Sequence, residues 1–196
     1  MQSEPTNKIL NDLAKEIIKK SSNFNLTGYK EADKLFQEQF DDCIKAFETC
    51  KHLIPHRLVD VGSGGGIPGL VWAIVFKIEV LSIDSNSKKI RFQEAFIKKH
   101  KLQNITTRHK RAEEINFSKK DTIVCKAFSS IGKTIKLLDK RNQPGKILFI
   151  KKNDEKTKEE ILEAKPLLYH YKIHPYKSNL GDMCVVEAYD SKNSNH

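Results

Sequence analysis

The chain has 196 residues, 38% of them hydrophobic, and a formal net charge of +10. That suffices for one well-buried core, so one domain with an appendage is expected rather than two full domains. No apolar run approaches the roughly 20 residues that span a bilayer, and the opening MQSEPTNKIL lacks the apolar core of a secretory signal, so the expected location is the cytoplasm, with no membrane partner.

Residues 1–60 carry 9 Lys/Arg against 10 Asp/Glu, a balance of −1, while residues 61–196 carry 26 against 15, a balance of +11. The positive excess therefore lies in the second part of the chain. A basic surface suits a polyanion, nucleic acid before membrane; the competing reading is lysine that solvates helix faces. Cys43, Cys50, Cys125 and Cys184 form no C-x-x-C pair and no zinc-like spacing, so buried reduced thiols and no metal are expected.

In chain order, Ile9, Leu10, Leu13, Ile17 and Ile18 recur with helical spacing and predict one amphipathic helix, ended by the polar run 21–25. A second helix is predicted over 31–51, with Leu35, Phe36, Phe40, Ile44 and Phe47 on one side. Pro55 closes this helical extension, taken as residues 1–56. Asn25-Leu26-Thr27 matches a glycosylation acceptor, a reading that lapses without a secretory signal.

From Arg57 to about residue 190, strands and helices alternate. Leu58, Val59 and Val61 form a strand that runs into the glycine loop 62–66 and a helix opened by Pro68. Strands follow at 80–83, 105–108, 122–125 and 146–150, with helices at 87–100 and 131–138 between them. This alternation implies a parallel sheet with helices on both faces. After a charged helix at 154–163, the strands 167–173 and 183–189 are close enough in sequence to pair as an antiparallel hairpin. A flexible tail is expected at 191–196.

The glycine loop fits two patterns. Residues 64–69 satisfy G-x-G-x-x-G, the dinucleotide fingerprint, and residues 60–66 satisfy D-x-G-x-G-x-G, the methyltransferase pattern, with Gly62, Gly64 and Gly66 as its glycines. Both expect an acid at the end of the second strand to take two ribose hydroxyls, a role that falls to Asp84. Asp60 separates them: facing a pyrophosphate it would repel, whereas beside an ammonium and a sulfonium it is tolerable. Its other reading is a carboxylate that holds the loop through backbone N–H groups.

The doubly wound, mostly parallel sheet with a C-terminal antiparallel hairpin, preceded by N-terminal helices, resembles the class I S-adenosylmethionine-dependent methyltransferases. More specifically, the chain resembles the RsmG (glucose-inhibited division protein B) family of small-subunit ribosomal RNA guanine-N7 methyltransferases. The landmarks run in order: Asn25-Leu26-Thr27; the loop with its Ile67-Pro68-Gly69 exit; Asp84-Ser85-Asn86-Ser87-Lys88-Lys89-Ile90-Arg91-Phe92; Arg111-Ala112-Glu113-Glu114; and Lys126-Ala127-Phe128. The resemblance implies cofactor contacts at Gly62, Ile67, Ala112, Glu113 and Lys126. The chain departs from the family pattern at Lys126, usually arginine, and at Glu38-Gln39, where R-H of an R-H-x-x-D-S stretch is usual.

The resemblance implies S-adenosylmethionine as cofactor and 16S ribosomal RNA or the small ribosomal subunit as partner, with the chain acting as a monomer. Guanine N7 keeps a free in-plane lone pair, so its methylation needs no general base and rests on proximity. Consistently, there is no Ser-His-Asp set, and His170 and His174 lack a third metal ligand. Lys126 and Lys151 are the positioning candidates. RNA contact is expected from Lys88, Lys89 and Arg91 after Asp84, and from Lys151 and Lys152 at a strand end. The rival readings are a methyltransferase with a small-molecule or protein substrate, a non-enzymatic RNA-binding protein, and a nucleotide-linked dehydrogenase.

Overall fold

A computed structural model describes residues 3–54, 57–138, 144–167 and 169–190, which leaves the expected tail and Pro55 outside the described residues. Seven strands form one sheet: β1 (Arg57–Val61), β2 (Glu79–Asp84), β3 (Ile105–His109), β4 (Thr122–Lys126), β5 (Lys146–Lys152), β6 (Tyr169–Ser178) and β7 (Gly181–Asp190). Their order is β3-β2-β1-β4-β5-β7-β6. The first five are parallel, and β7 pairs antiparallel with both β5 and β6.

Alternation along each strand divides the core into two faces. Leu58, Val80, Val124, Leu148 and Ile150 point to one side, where they meet α1 (Glu4–Phe24), α3 (Asp41–Cys50), α4 (Gly69–Phe76) and α5 (Ser87–His100). Val59, Val61, Ile83, Ile123, Ile147 and Phe149 point to the other, under α6 (Ile131–Leu138) and α7 (Glu155–Ala164). Apolar residues at consecutive strand positions thus serve opposite faces, as expected of a parallel sheet covered on both sides.

Helix α4 is apolar all round, with Leu70, Val71, Trp72, Ala73 and Ile74 fully buried. Such a helix needs cover on its outer side. The N-terminal helices supply it: Phe47 of α3 stacks on Phe76, and the Trp72 indole N–H donates to the Cys43 carbonyl at 2.7 Å.

The stretch predicted as one helix over 31–51 is divided. Helix α2 (Ala32–Leu35) passes through a π-helical turn at Phe36–Phe40 into α3. The reason lies in the spacing of Leu35 and Phe40, both fully buried. Five residues apart, they would diverge by about 140° on an α-helix; a wider i→i+5 turn returns both to the core.

The last hairpin is longer than its sequence suggests. Strand β6 continues through Pro175 to Ser178, and Asn179-Leu180 alone makes the turn. Proline is tolerated because β6 is the edge strand of the sheet. All four cysteines are free and buried, and burial pushes the Cys50 thiol up to about 12 and the Cys184 thiol up to about 11. No described helix is long and apolar enough to cross a membrane.

Candidate functional site

The strand order reverses between β1 and β4, and in a doubly wound sheet the crevice at such a point, beyond the strand C-termini, receives ligands. The glycine loop leaves β1 there. It crosses the end of β2, with the Gly62 and Ser63 N–H groups donating to the Ile83 carbonyl at 2.9 and 3.1 Å. Gln93 of α5 holds it from behind, its amide donating to Ser63 Oγ at 2.8 Å and to the Gly64 carbonyl at 2.9 Å.

A cleft of about 390 Å3 opens between this loop and the ends of β2, β3 and β4, a size within the range of about 300–1,000 Å3 typical of ligand pockets. It brings together Gly62, Asp84, Ala112 and Glu113 of the expected cofactor set. Gly62 has φ of +73°, and a Cβ on it would run into the Phe128 ring, so neither the turn nor the close approach allows a side chain. The Asp84 carboxylate accepts from the Gly64 N–H at 2.9 Å through one oxygen and from the Asn86 N–H at 2.8 Å through the other. Each oxygen keeps a second lone pair, so the carboxylate braces the loop and can still accept hydroxyls in the cleft.

Gly64, Gly66, Ile67 and Asp60 do not line this cleft. Asp60 takes the second of its two expected roles. With Leu58 it falls on the α4 face of the sheet, where it is 1% exposed and accepts from the Gly69 N–H at 2.9 Å. Gly69 must be glycine, because a Cβ would be 2.6 Å from an Asp60 oxygen. Burial, more than the nearby Asp84 charge, pushes the Asp60 carboxyl up to about 7.

Strand parity also redirects the expected lysines. Lys126 shares the face of Val124, so its ammonium meets the N-terminal helices: it donates to Gln39 Oε1 and stands 3.4 Å from Asp42, not in the cleft. Lys151 lies on the opposite face with Phe149, where its ammonium is 2.8 Å from Glu160 of α7 and 3.2 Å from the Ser129 carbonyl. The same Glu160 oxygen accepts from the Ile131 N–H at 2.9 Å. Lys151 thus clamps the start of α6 rather than reaching outward. Lys152, Lys88 and Arg91 are exposed, and Lys89 lines the cleft. Two positions on, and so about 200° round the helix, Arg91 lines a separate groove against Lys20 and Phe24 of α1. Lys89 and Arg91 therefore do not form one rim.

The cleft also contains Ser85, Lys110, Arg111, Phe128 and Leu137, to which sequence reasoning gave no role. The motif stretches contained a signal for two of them, since Arg111 opens one landmark and Phe128 closes another. What aims Phe128 at the loop is Ala127, with φ of +53°. Away from the cleft, His174 pairs with Glu187 at 2.9 Å, and among the described residues no group of three or more His, Cys, Asp or Glu could hold a metal ion.

Known proteins resemble this chain in sequence and in fold. A family model described as "rRNA small subunit methyltransferase G" matches residues 6–179. "Ribosomal RNA small subunit methyltransferase G" of Brachyspira hyodysenteriae is 32% identical over 150 residues, which are 76% of this chain and 72% of that one. Two further relatives of that name are matched over 44% and 78% of their own length. Among solved structures, the ribosomal protein L11 methylase of Lactobacillus delbrueckii subsp. bulgaricus aligns with a TM-score of 0.56 at 17% identity, over 74% of this chain and 76% of that one. A mutant of MtNAS in complex with S-adenosylmethionine aligns with a TM-score of 0.63 at 11% identity, over 93% and 72%. These two share the fold; the sequence matches go further, and this chain belongs to the rRNA small subunit methyltransferase G family.

Proposed function

We propose that the chain transfers the methyl group of S-adenosylmethionine to N7 of a guanine in small-subunit (16S) ribosomal RNA, acting in the cytoplasm as a monomer. The observation that carries this reading is the meeting of Gly62, Asp84, Ala112 and Glu113 in one cleft at the strand C-termini. These residues suit the cofactor. Asp84 would accept the ribose hydroxyls, Ala112, Leu137 and Phe128 offer apolar surface for the adenine, and Gly62 keeps the loop backbone open to close approach. Bound there, S-adenosylmethionine supplies a methyl group made electrophilic by its sulfonium.

The chain's own share of the chemistry is positioning. Guanine N7 attacks with a lone pair that carries no proton, so no side chain has to remove one; holding the two partners in line supplies the acceleration. Lys89, Lys110 and Arg111 border the cleft, Lys88 is exposed beside Lys89 in the first turn of α5, and Lys152 is exposed at the end of β5. Together they offer phosphate-binding charge beside the site.

The test is labelled methyl transfer to small subunits from cells that lack the modification, followed by mapping of the methylated atom. Label at guanine N7 is expected, and Asp84→Ala should lose both transfer and cofactor binding measured by calorimetry. Label in no RNA, or binding of NAD without S-adenosylmethionine, would overturn the reading.

A further inference from the structure

The three positions at which the chain departs from its family's pattern are one cluster in space. Gln39 accepts from the Lys126 ammonium, and its amide donates to the Tyr29 hydroxyl at 3.0 Å. Tyr29 in turn donates to Glu38 Oε2 at 2.6 Å. At the inner end, Lys126 stands 3.4 Å from the fully buried Asp42, whose Oδ1 also accepts from Tyr176 at 2.9 Å and Ser178 at 3.0 Å. A hydrogen-bonded chain thus runs outward from Lys126, which is ion-paired with Asp42, and every donor in it points toward Glu38.

Its outer end is a half-buried carboxylate, for which Tyr29 is the only donor among the described residues. The π-helical turn presents Glu38 and Gln39 together to Tyr29, and such turns are frequent at functional sites. The cluster is joined at two points to the elements that build the cofactor site. Lys126 directly precedes Ala127 and Phe128, which line the cleft, and Leu26, three residues before Tyr29, lies 3.6 Å from where a Gly65 Cβ would be. Through Gln39 and Lys126, Glu38 is tied to the C-terminal end of β4, the end of the sheet at which the cleft opens.

Building on the methyltransferase reading above, we infer that Glu38 holds the target guanine by its Watson–Crick edge, accepting from N1–H and the N2 amino group, with Tyr29 and Gln39 as positioning residues. A carboxylate only accepts, and its four lone-pair sites leave room for two more donors after Tyr29. Guanine is the one RNA base with two adjacent N–H donors on that edge. Adenine and uracil each put an acceptor where guanine has a donor, so the carboxylate selects against them. Enzymes that modify a base commonly read that edge once the base is out of its stack. N7 lies on the Hoogsteen edge of the purine, so a grip at N1 and N2 leaves it free to face the methyl donor. The hydrogen-bonded chain back to Lys126, itself ion-paired with Asp42, fixes the carboxylate before the base arrives.

The experiment compares the full chain with its Glu38→Gln variant on small subunits that lack the modification, measuring kcat and KM, cofactor affinity by calorimetry and thermal stability. The expected result is a fall in kcat/KM for the subunit of about 10- to 100-fold, because the amide turns donors toward the guanine donors, with cofactor affinity and thermal midpoint unchanged. Tyr29→Phe, which keeps the carboxylate but removes its anchor, should show a smaller loss of the same kind. If Glu38 is only a surface charge, Glu38→Gln relieves repulsion of RNA phosphate, and transfer stays level or rises; that sign overturns the inference. Activity lost together with cofactor affinity or stability marks a structural role and overturns it too. An unaltered chain that transfers no methyl fails the underlying reading instead, and this one with it.

Discussion

The Phe128 ring lies directly on the backbone of Gly62, joining the end of β4 to the start of the cofactor loop. Gly62→Ala would add both a left-handed backbone strain of about 1–3 kcal/mol and a collision with that ring. Thermal denaturation should show the loss of stability, and calorimetry a loss of S-adenosylmethionine binding. Adding Phe128→Ala should relieve the collision but not the strain, so the double variant should recover part of the stability. Full recovery would show that backbone strain contributes nothing.

The Lys126–Asp42 pair holds β4 to the N-terminal helices and carries the hydroxyls of Tyr176 and Ser178 as well. Asp42→Ala would leave two hydroxyls without their acceptor and the poorly exposed Lys126 ammonium without its counter-charge, held by Gln39 alone. The expected cost is about 3–5 kcal/mol, the range for removing one partner of a buried pair. Asp42→Asn keeps an acceptor for the hydroxyls and should cost less. Urea unfolding of both variants checks the order, and equal costs would count against the shared-acceptor account.

Asp60 gives stability a pH dependence of definite sign. Burial raises its carboxyl from 3.8 to about 7 in the folded chain. Between those values the folded state holds a proton that the unfolded state has released, so the contribution of this group falls as pH rises from about 4 to about 7. Above that window it is destabilising by up to about 4 kcal/mol. Asp60→Asn has nothing to titrate there. The unfolding free energy of the variant relative to the unaltered chain should therefore climb across the window, and a flat difference would refute the assignment.

Lys151 and Lys152 are neighbours in sequence and should behave differently. Lys151→Met removes a charge-assisted contact to Glu160 worth about 1.5–3 kcal/mol and should lower the thermal midpoint. Lys152→Glu, at an exposed position, should leave stability alone and weaken binding to the small subunit with a shallower salt dependence. The two effects, measured by denaturation and by binding at several salt concentrations, should separate by residue. The reverse pattern would mean that Lys151 reaches the RNA.

The order of strands and helices was legible because apolar periodicity and the glycine and proline breaks are local signals, and the cleft residues Gly62, Asp84, Ala112 and Glu113 sat in recognisable motif stretches. The wide turn at Phe36–Phe40 was less visible. Its cause is the joint burial of Leu35 and Phe40, which depends on the surface the helix meets. The edge position that lets Pro175 stay within β6 likewise follows from strand order rather than from the residue itself.

The sequence by itself determined the alternating elements, the loop and the family, since each depends on the kinds of residue at short, fixed separations. Only the tertiary structure decided what the charged side chains do. A strand sends alternate residues to opposite faces, so what Lys126 and Lys151 meet depends on which helices cover those faces: Asp42 and Gln39 for one, Glu160 for the other. Asp60 became a buried brace because α4 returns over the same face, and Glu38 gained its anchor from Tyr29 because a π-helical turn set it there.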